Sequence, residues 1–395
     1  MTKIHREFHI IPLKIINFNH MKIIKHIARL LVGVTFIYSG FVKGIDPWGS
    51  AYKFIDYFNA MGLEWLIWAA FPLGVLLAFA EFAIGVGLFF NVLLELFSWL
   101  ALLFMIFFTG LTLWIALYDP VSDCGCFGDA LVISNWATFY KNLVLIFLTI
   151  IIFRYRKNMK NLKYKNIGFI MSGIVAAAYI ITGIYSYNHL PVFDFRPYKV
   201  GVNIPEAMAI PDDAPQAEYE NIFYYKNKNS GKIEKFSEKN YPWQDTLNWE
   251  FHDMESILTK EGYEPPIHDL RIETPEGENI IDFFLYDENY VFILVAYDLK
   301  KTDTRHLEEI NSLYDWATGE DMSFICLTSS LADESEEFAE KHNIPYDFFI
   351  CDEITLKTIV RSNPGLMVIK NGNIIAKYHY NDIPSPQEFQ DKIMR

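Results

Sequence analysis

Five apolar stretches, at residues 23–42, 65–90, 92–117, 136–153 and 167–187, constrain this chain more than any other feature. Each is close to the roughly 20 apolar residues that a helix needs to cross a bilayer core. Backbone inside a membrane must satisfy its own hydrogen bonds, so runs of this length can only become spanning helices. Tyr and Trp stand near several of their ends, as expected for side chains that favour the headgroup layer. The first twenty residues place Lys3, Arg6 and Lys14 among Ile and Phe with no small-residue cleavage site. They are expected to form a short tail, residues 1–21, leading into a retained first helix.

Basic residues orient the bundle. Lys3, Arg6, Lys14, Lys22 and Lys25 precede or open the first stretch, and Arg154, Arg156, Lys157, Lys160, Lys163 and Lys165 separate the fourth from the fifth. With five helices and a cytoplasmic amino terminus, both clusters fall inside, as the positive-inside rule requires. The loop at residues 118–135, with Asp119, Asp123 and Asp129 but no Lys or Arg, then falls outside, as does everything after the fifth helix. Residues 1–189 hold 15 Lys and Arg against 9 Asp and Glu, a net of +6; residues 190–395 hold 19 against 39, a net of −20. An acidic far half repels phosphates and argues against a nucleic-acid partner. The expected setting is a bacterial inner membrane, multi-pass, with the large domain in the periplasm.

The outer loop contains Cys124-Gly125-Cys126-Phe127-Gly128, half of the protein's four cysteines one residue apart. Thiols this close can form a disulfide with each other or share a metal, and the intervening glycine allows the tight ring. On an oxidising face a disulfide persists. Bridging a single residue strains the ring and makes the bond easy to reduce. The loop has no histidine, and two sulfurs are too few ligands for zinc, so no metal is expected. Two charges lie within the helices: Arg29, about 9 Å from the inner end of the first at 1.5 Å per residue, and Glu81, about 24 Å into the second from the outer face. Their depths suggest an ion pair, either a proton or substrate site or a packing device; Arg29 could instead reach the inner headgroups.

The first helix ends in FIYSGFVKGIDPWG, with Ser39, Gly40, Lys43, Asp46 and Pro47 at its outer mouth. This resembles the SG-x-x-K-x-x-DP signature of the DoxX family of four-helix membrane proteins. The Cys-Gly-Cys-Phe-Gly loop is similar to that of the related MauE proteins, implicated in disulfide formation. The resemblance covers about residues 22–155. It implies a four-helix bundle like that of quinone-linked disulfide-forming enzymes, with the fifth helix (residues 166–188) as a tether.

Residues 189–261 read as a linker followed by a small β-rich insert, with strand-like runs at 219–225 and 232–236 around an Asn-Gly-rich turn. From residue 262 the pattern is regular. Apolar runs at 290–297, 323–328 and 346–350 alternate with helical patterns at 304–317 and 331–342. Pro364 and a final hairpin follow. This order resembles the thioredoxin fold of the TlpA type over residues 262–395, with Pro364 as the cis-proline candidate. The first central strand, however, leads into Asp298-Leu299-Lys300-Lys301 where thioredoxins have Cys-x-x-Cys, so dithiol exchange at that place is excluded. Cys326 and Cys351 fall in or beside buried strands, where cysteine behaves as a small hydrophobe.

The expected fold is thus a polytopic α-helical membrane bundle, four DoxX/MauE-like helices plus a fifth, followed by an α/β thioredoxin-like periplasmic domain. One functional reading is envelope thiol–disulfide chemistry, with Cys124 and Cys126 cycling, the outer domain binding a protein client, and an acceptor such as a quinone. Against it stand the single cysteine pair and the flanking aspartates, which would raise a thiol pKa. The other reading is a non-catalytic scaffold or subunit of an envelope complex, with the pair as a structural disulfide. Both have the lipid bilayer as a partner, and the residues themselves name no cofactor. A reporter active only in the cytoplasm, fused after Arg395, is expected to stay silent; a strong signal would overturn the orientation.

Overall fold

Glycines on one face of the first long helix decide how the membrane half packs. The computed structural model describes residues 18–159, 165–260 and 262–394; Lys3, Arg6, Lys14, Lys160 and Lys163 lie outside them. The chain divides into two units. One comprises the described residues up to Arg196 with Tyr378–Ile383, the other Pro197–Lys377 with the residues from Pro384 onward.

The first unit contains α1 (Phe18–Ile45), α2 (Pro47–Ala60), α3 (Ala70–Phe89), α4 (Leu94–Tyr118), α5 (Asn135–Tyr155) and α6 (Lys165–Asn188). Five of its segments are long and apolar enough to cross a membrane, among them Glu64–Phe89, which includes a 3₁₀ turn ahead of α3. α1 and α3 run antiparallel in close contact. A Cβ on Gly40 would stand 2.4 Å from the Phe82 nitrogen and 2.8 Å from the Ala78 oxygen, and one on Gly85 2.5 Å from the Ile37 nitrogen. Around this seam α1, α3, α4 and α5 bury Val32, Phe36, Ile84, Leu88, Met105 and Ile152. α6 buries the smallest share of its surface among the five spans, consistent with a peripheral helix.

That seam sets a register different from the one expected by counting depth from the ends of the apolar runs, and Arg29 and Glu81 do not meet. Gly33 lies against Gly85 and Phe89 while Gly40 lies against Ala78 and Phe82. Glu81 is therefore level with Ser39 and Lys43, and Arg29 lies about 15 Å further along α1. Counting failed because the second apolar run opens with the 3₁₀ turn, and α1 continues to Ile45, past the end of its apolar run. Arg29 instead donates to the carbonyls of Leu88 and Phe89 (2.7 Å for Phe89) at the carboxyl end of α3. The helix dipole favours a cation there. Lys25 similarly donates to the Asn158 carbonyl at 3.1 Å.

α2 was not foreseen, because its residues mix polar and apolar types and are too few to span. Its start is nevertheless written in the sequence. Asp46 caps it, accepting from the Gly49 N–H at 2.9 Å, and Pro47 occupies the first turn, where its missing N–H costs nothing.

The second unit opens with α7 (Ile204–Met208) and a three-stranded antiparallel sheet of order β2-β1-β3: β1 (Glu218–Asn227), β2 (Ile233–Ser237) and β3 (Trp249–Lys260). β3 escaped sequence reading because it is exposed along nearly its whole length and shows no apolar alternation. Pairing with β1 defines it, with Tyr225 opposite Phe251 and Phe223 opposite Met254.

After α8 (Ile281–Leu285) comes a five-stranded mixed sheet of order β6-β5-β4-β7-β8. Its strands are β4 (Tyr290–Val295), β5 (Ser323–Thr328), β6 (Phe348–Ile350), β7 (Gly365–Lys370) and β8 (Asn373–His379), joined and flanked by α9 (Leu307–Gly319), α10 (Ala332–His342), α11 (Glu353–Ile359) and α12 (Pro386–Lys392). β4 and β5 are parallel, and β7 returns antiparallel to β4. The β7–β8 turn carries Asn371 and Gly372 at φ 46° and 72°, the backbone a two-residue hairpin needs. The Asn363–Pro364 peptide bond is cis. This is a mixed α/β domain of the thioredoxin-like arrangement.

The glycine seam can be tested directly. Gly40→Ala forces a methyl into backbone atoms of α3 and is expected to cost about 1–3 kcal/mol. The thermal midpoint of purified protein in detergent should fall, whereas Gly110→Ala, with nothing within 4 Å of the added Cβ, should not lower it.

Candidate functional site

Cys124 and Cys126 belong to the loop between α4 and α5, and that loop is held from several sides. Asn135, at the start of α5, donates to Asp119 Oδ1 at 2.7 Å and to the Val121 carbonyl at 3.0 Å. Asp123 Oδ1 accepts from the Gly125 N–H at 2.7 Å, closing a local turn. Gly125 has φ of 65°, a conformation open to glycine. Its absent side chain leaves room for Lys53, whose Cγ would stand 2.9 Å from a Cβ there. The two sulfurs, both free thiols, end 3.1 Å apart, Cys124 buried and Cys126 half-buried.

α2 supplies the clamp. Lys53 Nζ pairs with Asp123 Oδ2 at 2.6 Å, and one turn later the Tyr57 hydroxyl donates to the Cys124 carbonyl at 2.8 Å. From α5, the Lys141 ammonium lies 4.2 Å over the Phe127 ring and makes no ion pair among the described residues. Lys53, Tyr57 and Lys141 were not singled out in the sequence, where the loop itself shows only acidic charge. The signal available was the i, i+4 spacing of Lys53 and Tyr57 on a helix announced by Asp46-Pro47. The concern that flanking aspartates would raise the thiols is answered by Lys53, which neutralises Asp123.

The two thiols are electrostatically unequal. The hydrogen bond between Cys124 and Cys126, with burial second, pushes the Cys124 thiol far up. The same bond, accepted by Cys126, pulls its thiol below the ordinary range against the opposing effect of burial, and the ammoniums of Lys141 and Lys43 add to the pull. One proton is shared, Cys124 keeps it, and Cys126 is the sulfur that becomes a thiolate.

The residues of the SG-x-x-K-x-x-DP pattern divide by role. Asp46 and Pro47 start α2, and Gly40 permits the α1–α3 contact. Ser39 and Lys43, one turn apart on α1, turn toward Glu81 of α3. Lys43 Nζ is 2.9 and 2.7 Å from the two Glu81 oxygens, with both side chains buried. Ser39 Oγ lies 2.7 Å from Glu81 Oε2 and 2.7 Å from the Cys126 carbonyl, so the ion pair reaches the cysteine loop directly. Glu81 therefore pairs with Lys43, not with Arg29.

Ser39, Lys43, Glu81, Lys141 and the two cysteines line one cavity of about 500 Å³. Cys124, Cys126, Lys43, Glu81, Lys141 and Asn142 are among its polar groups. Much of the remaining wall is apolar, including Phe36, Phe104, Phe107, Phe108, Leu111 and Leu145. Phe107 and Leu103 are among the exposed large side chains of α4, so this wall reaches the surface that faces lipid.

In the second unit, β4 leads through Tyr297 and Asp298 into a 3₁₀ turn, Leu299–Lys301, with no sulfur. Asn363, beside the cis peptide bond, donates to the Asp298 carbonyl at 2.9 Å, and its side-chain oxygen accepts from Thr302 at 3.1 Å. Cys326 is buried completely and Cys351 nearly so. Burial pushes both thiols up, that of Cys351 to about 12.

Residues 21–155 match the family of methylamine utilisation protein MauE. Residues 219–261 match a family described as a domain of unknown function, DUF8463. No curated protein matches the chain. Among solved structures, that of StoA from Bacillus subtilis aligns with 31% of this chain and 93% of its own, at 12% identity and a TM-score of 0.25.

The asymmetry of the two thiols predicts selective alkylation. At neutral pH iodoacetamide should modify Cys126 well before Cys124. Cys124→Ala, by removing the thiol hydrogen bond, should raise the Cys126 pKa and slow its alkylation severalfold near pH 7, with the difference vanishing at high pH. Peptide mass mapping over a pH series measures both effects.

Proposed function

We propose that this chain is a membrane thiol–disulfide oxidoreductase whose redox centre is Cys124–Cys126, set in a bacterial inner membrane with the cysteine loop and second unit on the periplasmic side. The observation that carries this reading is the pair of free sulfurs 3.1 Å apart on the wall of a cavity that also reaches the lipid face. The match of residues 21–155 to MauE supports it, as does a local field that separates the two thiols.

In thiol–disulfide exchange the more acidic thiol is the better leaving group. When a client thiolate attacks the Cys124–Cys126 disulfide, its sulfur bonds to Cys124 and Cys126 departs as a thiolate, stabilised by Lys141 and Lys43. A second client thiolate then displaces Cys124, which takes up a proton as it leaves. The client gains a disulfide and the loop becomes a dithiol. Restoring the loop disulfide requires removal of two electrons and two protons. A quinone is the class of acceptor whose chemistry and shape fit. Phe104, Phe107, Phe108 and Leu111 would hold its ring and tail, with Lys141 and Asn142 at its polar edge, and it would supply a two-electron oxidant there. A cavity of about 500 Å³ is in the usual range for such a ligand.

The second unit serves this reaction as a redox-inactive binding module. Its thioredoxin-like site has no sulfur after β4, and its two thiols are buried and protonated near neutral pH. Its role in this reading is to bind a periplasmic protein client or an envelope complex.

The full chain, reconstituted in liposomes containing a short-chain benzoquinone, should oxidise a reduced dithiol peptide. Cys124→Ser and Cys126→Ser should each lose at least 100-fold in rate, because neither can form the loop disulfide that the peptide thiolate attacks. The double variant Cys326→Ala/Cys351→Ala should retain the rate. Full activity in either serine variant would sink the proposal. Loss of abundance in both serine variants, with a permanently oxidised wild type, would identify the pair as a structural disulfide in a scaffold.

A further inference from the structure

Hydrogen counting at the buried end of the cavity points to a second functional group. Lys43 uses its three protons on Glu81 Oε1, Glu81 Oε2 and Ser39 Oγ, at 2.9, 2.7 and 3.0 Å. Ser39 Oγ then has 2.7 Å contacts with both Glu81 Oε2 and the Cys126 carbonyl oxygen. A serine hydroxyl has one proton and can donate only once. With Glu81 ionised, one of these two short oxygen–oxygen contacts has no hydrogen in it. One more proton, on Glu81, completes the set. The Glu81 carboxyl then donates to Ser39 Oγ, and the Ser39 hydroxyl donates to the Cys126 carbonyl.

We propose that Glu81 is the proton store of the dithiol centre, taking the proton that Cys126 gives up and returning it when the thiolate is consumed. This rests on the reading of Cys124–Cys126 as a redox pair. In the transfer, a Cys126 thiol and a Glu81 carboxylate become a Cys126 thiolate and a Glu81 carboxylic acid, with Lys43 balancing whichever anion is present. The buried site keeps the same net charge throughout. Releasing the proton to water would change it, and an uncompensated charge away from water is costly. When the disulfide forms, the Cys124 thiol, the Cys126 thiolate and the Glu81 acid become a disulfide and a carboxylate. Two protons and two electrons then leave together toward the two-electron acceptor proposed above.

The surroundings of Glu81 leave this role to it. Ser39 and Lys43 face it from α1, and the Cys126 carbonyl meets Ser39 from the loop. Tyr179 of α6 is committed elsewhere, stacking on Phe82 with ring centroids 4.1 Å apart and donating to the Gly40 carbonyl at 3.1 Å. Lys141 acts on Cys126 from α5. Glu81 is the carboxylate that Ser39 ties to the loop.

Redox-difference infrared spectroscopy on the full chain in liposomes, reduced and then oxidised with diamide, tests the assignment. Oxidation should remove a carboxylic-acid C=O band and add carboxylate bands. Both changes should be absent in Glu81→Gln and in Lys43→Met/Glu81→Gln, a double change that removes the ion pair without stranding either charge. Mass-shift alkylation of the same samples reports whether the disulfide forms. A disulfide that forms in the wild type with no carboxyl signal, or with a signal that survives in Glu81→Gln, would overturn the proton store and leave the redox reading intact. Absence of the disulfide itself would count against both.

Discussion

A lysine and a glutamate taken out of water side by side are the contact on which the membrane half turns. Burying Lys43 and Glu81 carries a desolvation cost that their attraction only partly offsets, and removing one partner alone costs about 3–5 kcal/mol. The pair therefore tolerates little displacement. It fixes α1 against α3 at the level where Gly40 lets the two backbones approach, and Ser39 extends it to the Cys126 carbonyl. Helix register, ion pair and cysteine loop are set together: sliding α1 by one turn would separate all three.

The loop is specified from the other side by α2. A pair of residues one turn apart, Lys53 and Tyr57, neutralises Asp123 and holds the Cys124 carbonyl, while Gly125 gives Lys53 the space to lie across the turn. The outcome is chemical. Two thiols of the same intrinsic acidity are made unequal, because one donates to the other and because ammoniums from α1 and α5 lie nearer the acceptor. One cavity joins this polar end to an apolar wall that includes exposed side chains of α4.

The Arg29–Glu81 expectation shows where depth arithmetic breaks down. Rise per residue converts sequence to distance only once the helix ends are known. Here one apolar run opens with a 3₁₀ turn and another continues past its apolar residues. Arg29 found carbonyls at the carboxyl end of α3, where the helix dipole favours any nearby cation. Glu81 found Lys43, which the sequence pattern had already marked without naming its partner.

The sequence by itself determined the architecture of both halves. Apolar runs long enough to cross a bilayer core point to spanning helices, and alternating buried strands and amphipathic helices lead to a mixed sheet. Two cysteines separated by one glycine marked the candidate site, and the residues that follow Tyr297 were seen to carry no sulfur. Tertiary structure alone decided the partners. β3 exists because β1 pairs with it, α2 matters because it lies against the loop, and Lys53 and Tyr57 reach the cysteine loop from an element tens of residues away. Periodicity and length are local properties, written in neighbouring residues. The acidity of a thiol is set by charges and hydrogen bonds within a few ångströms, and those are fixed only when helices distant in sequence pack together.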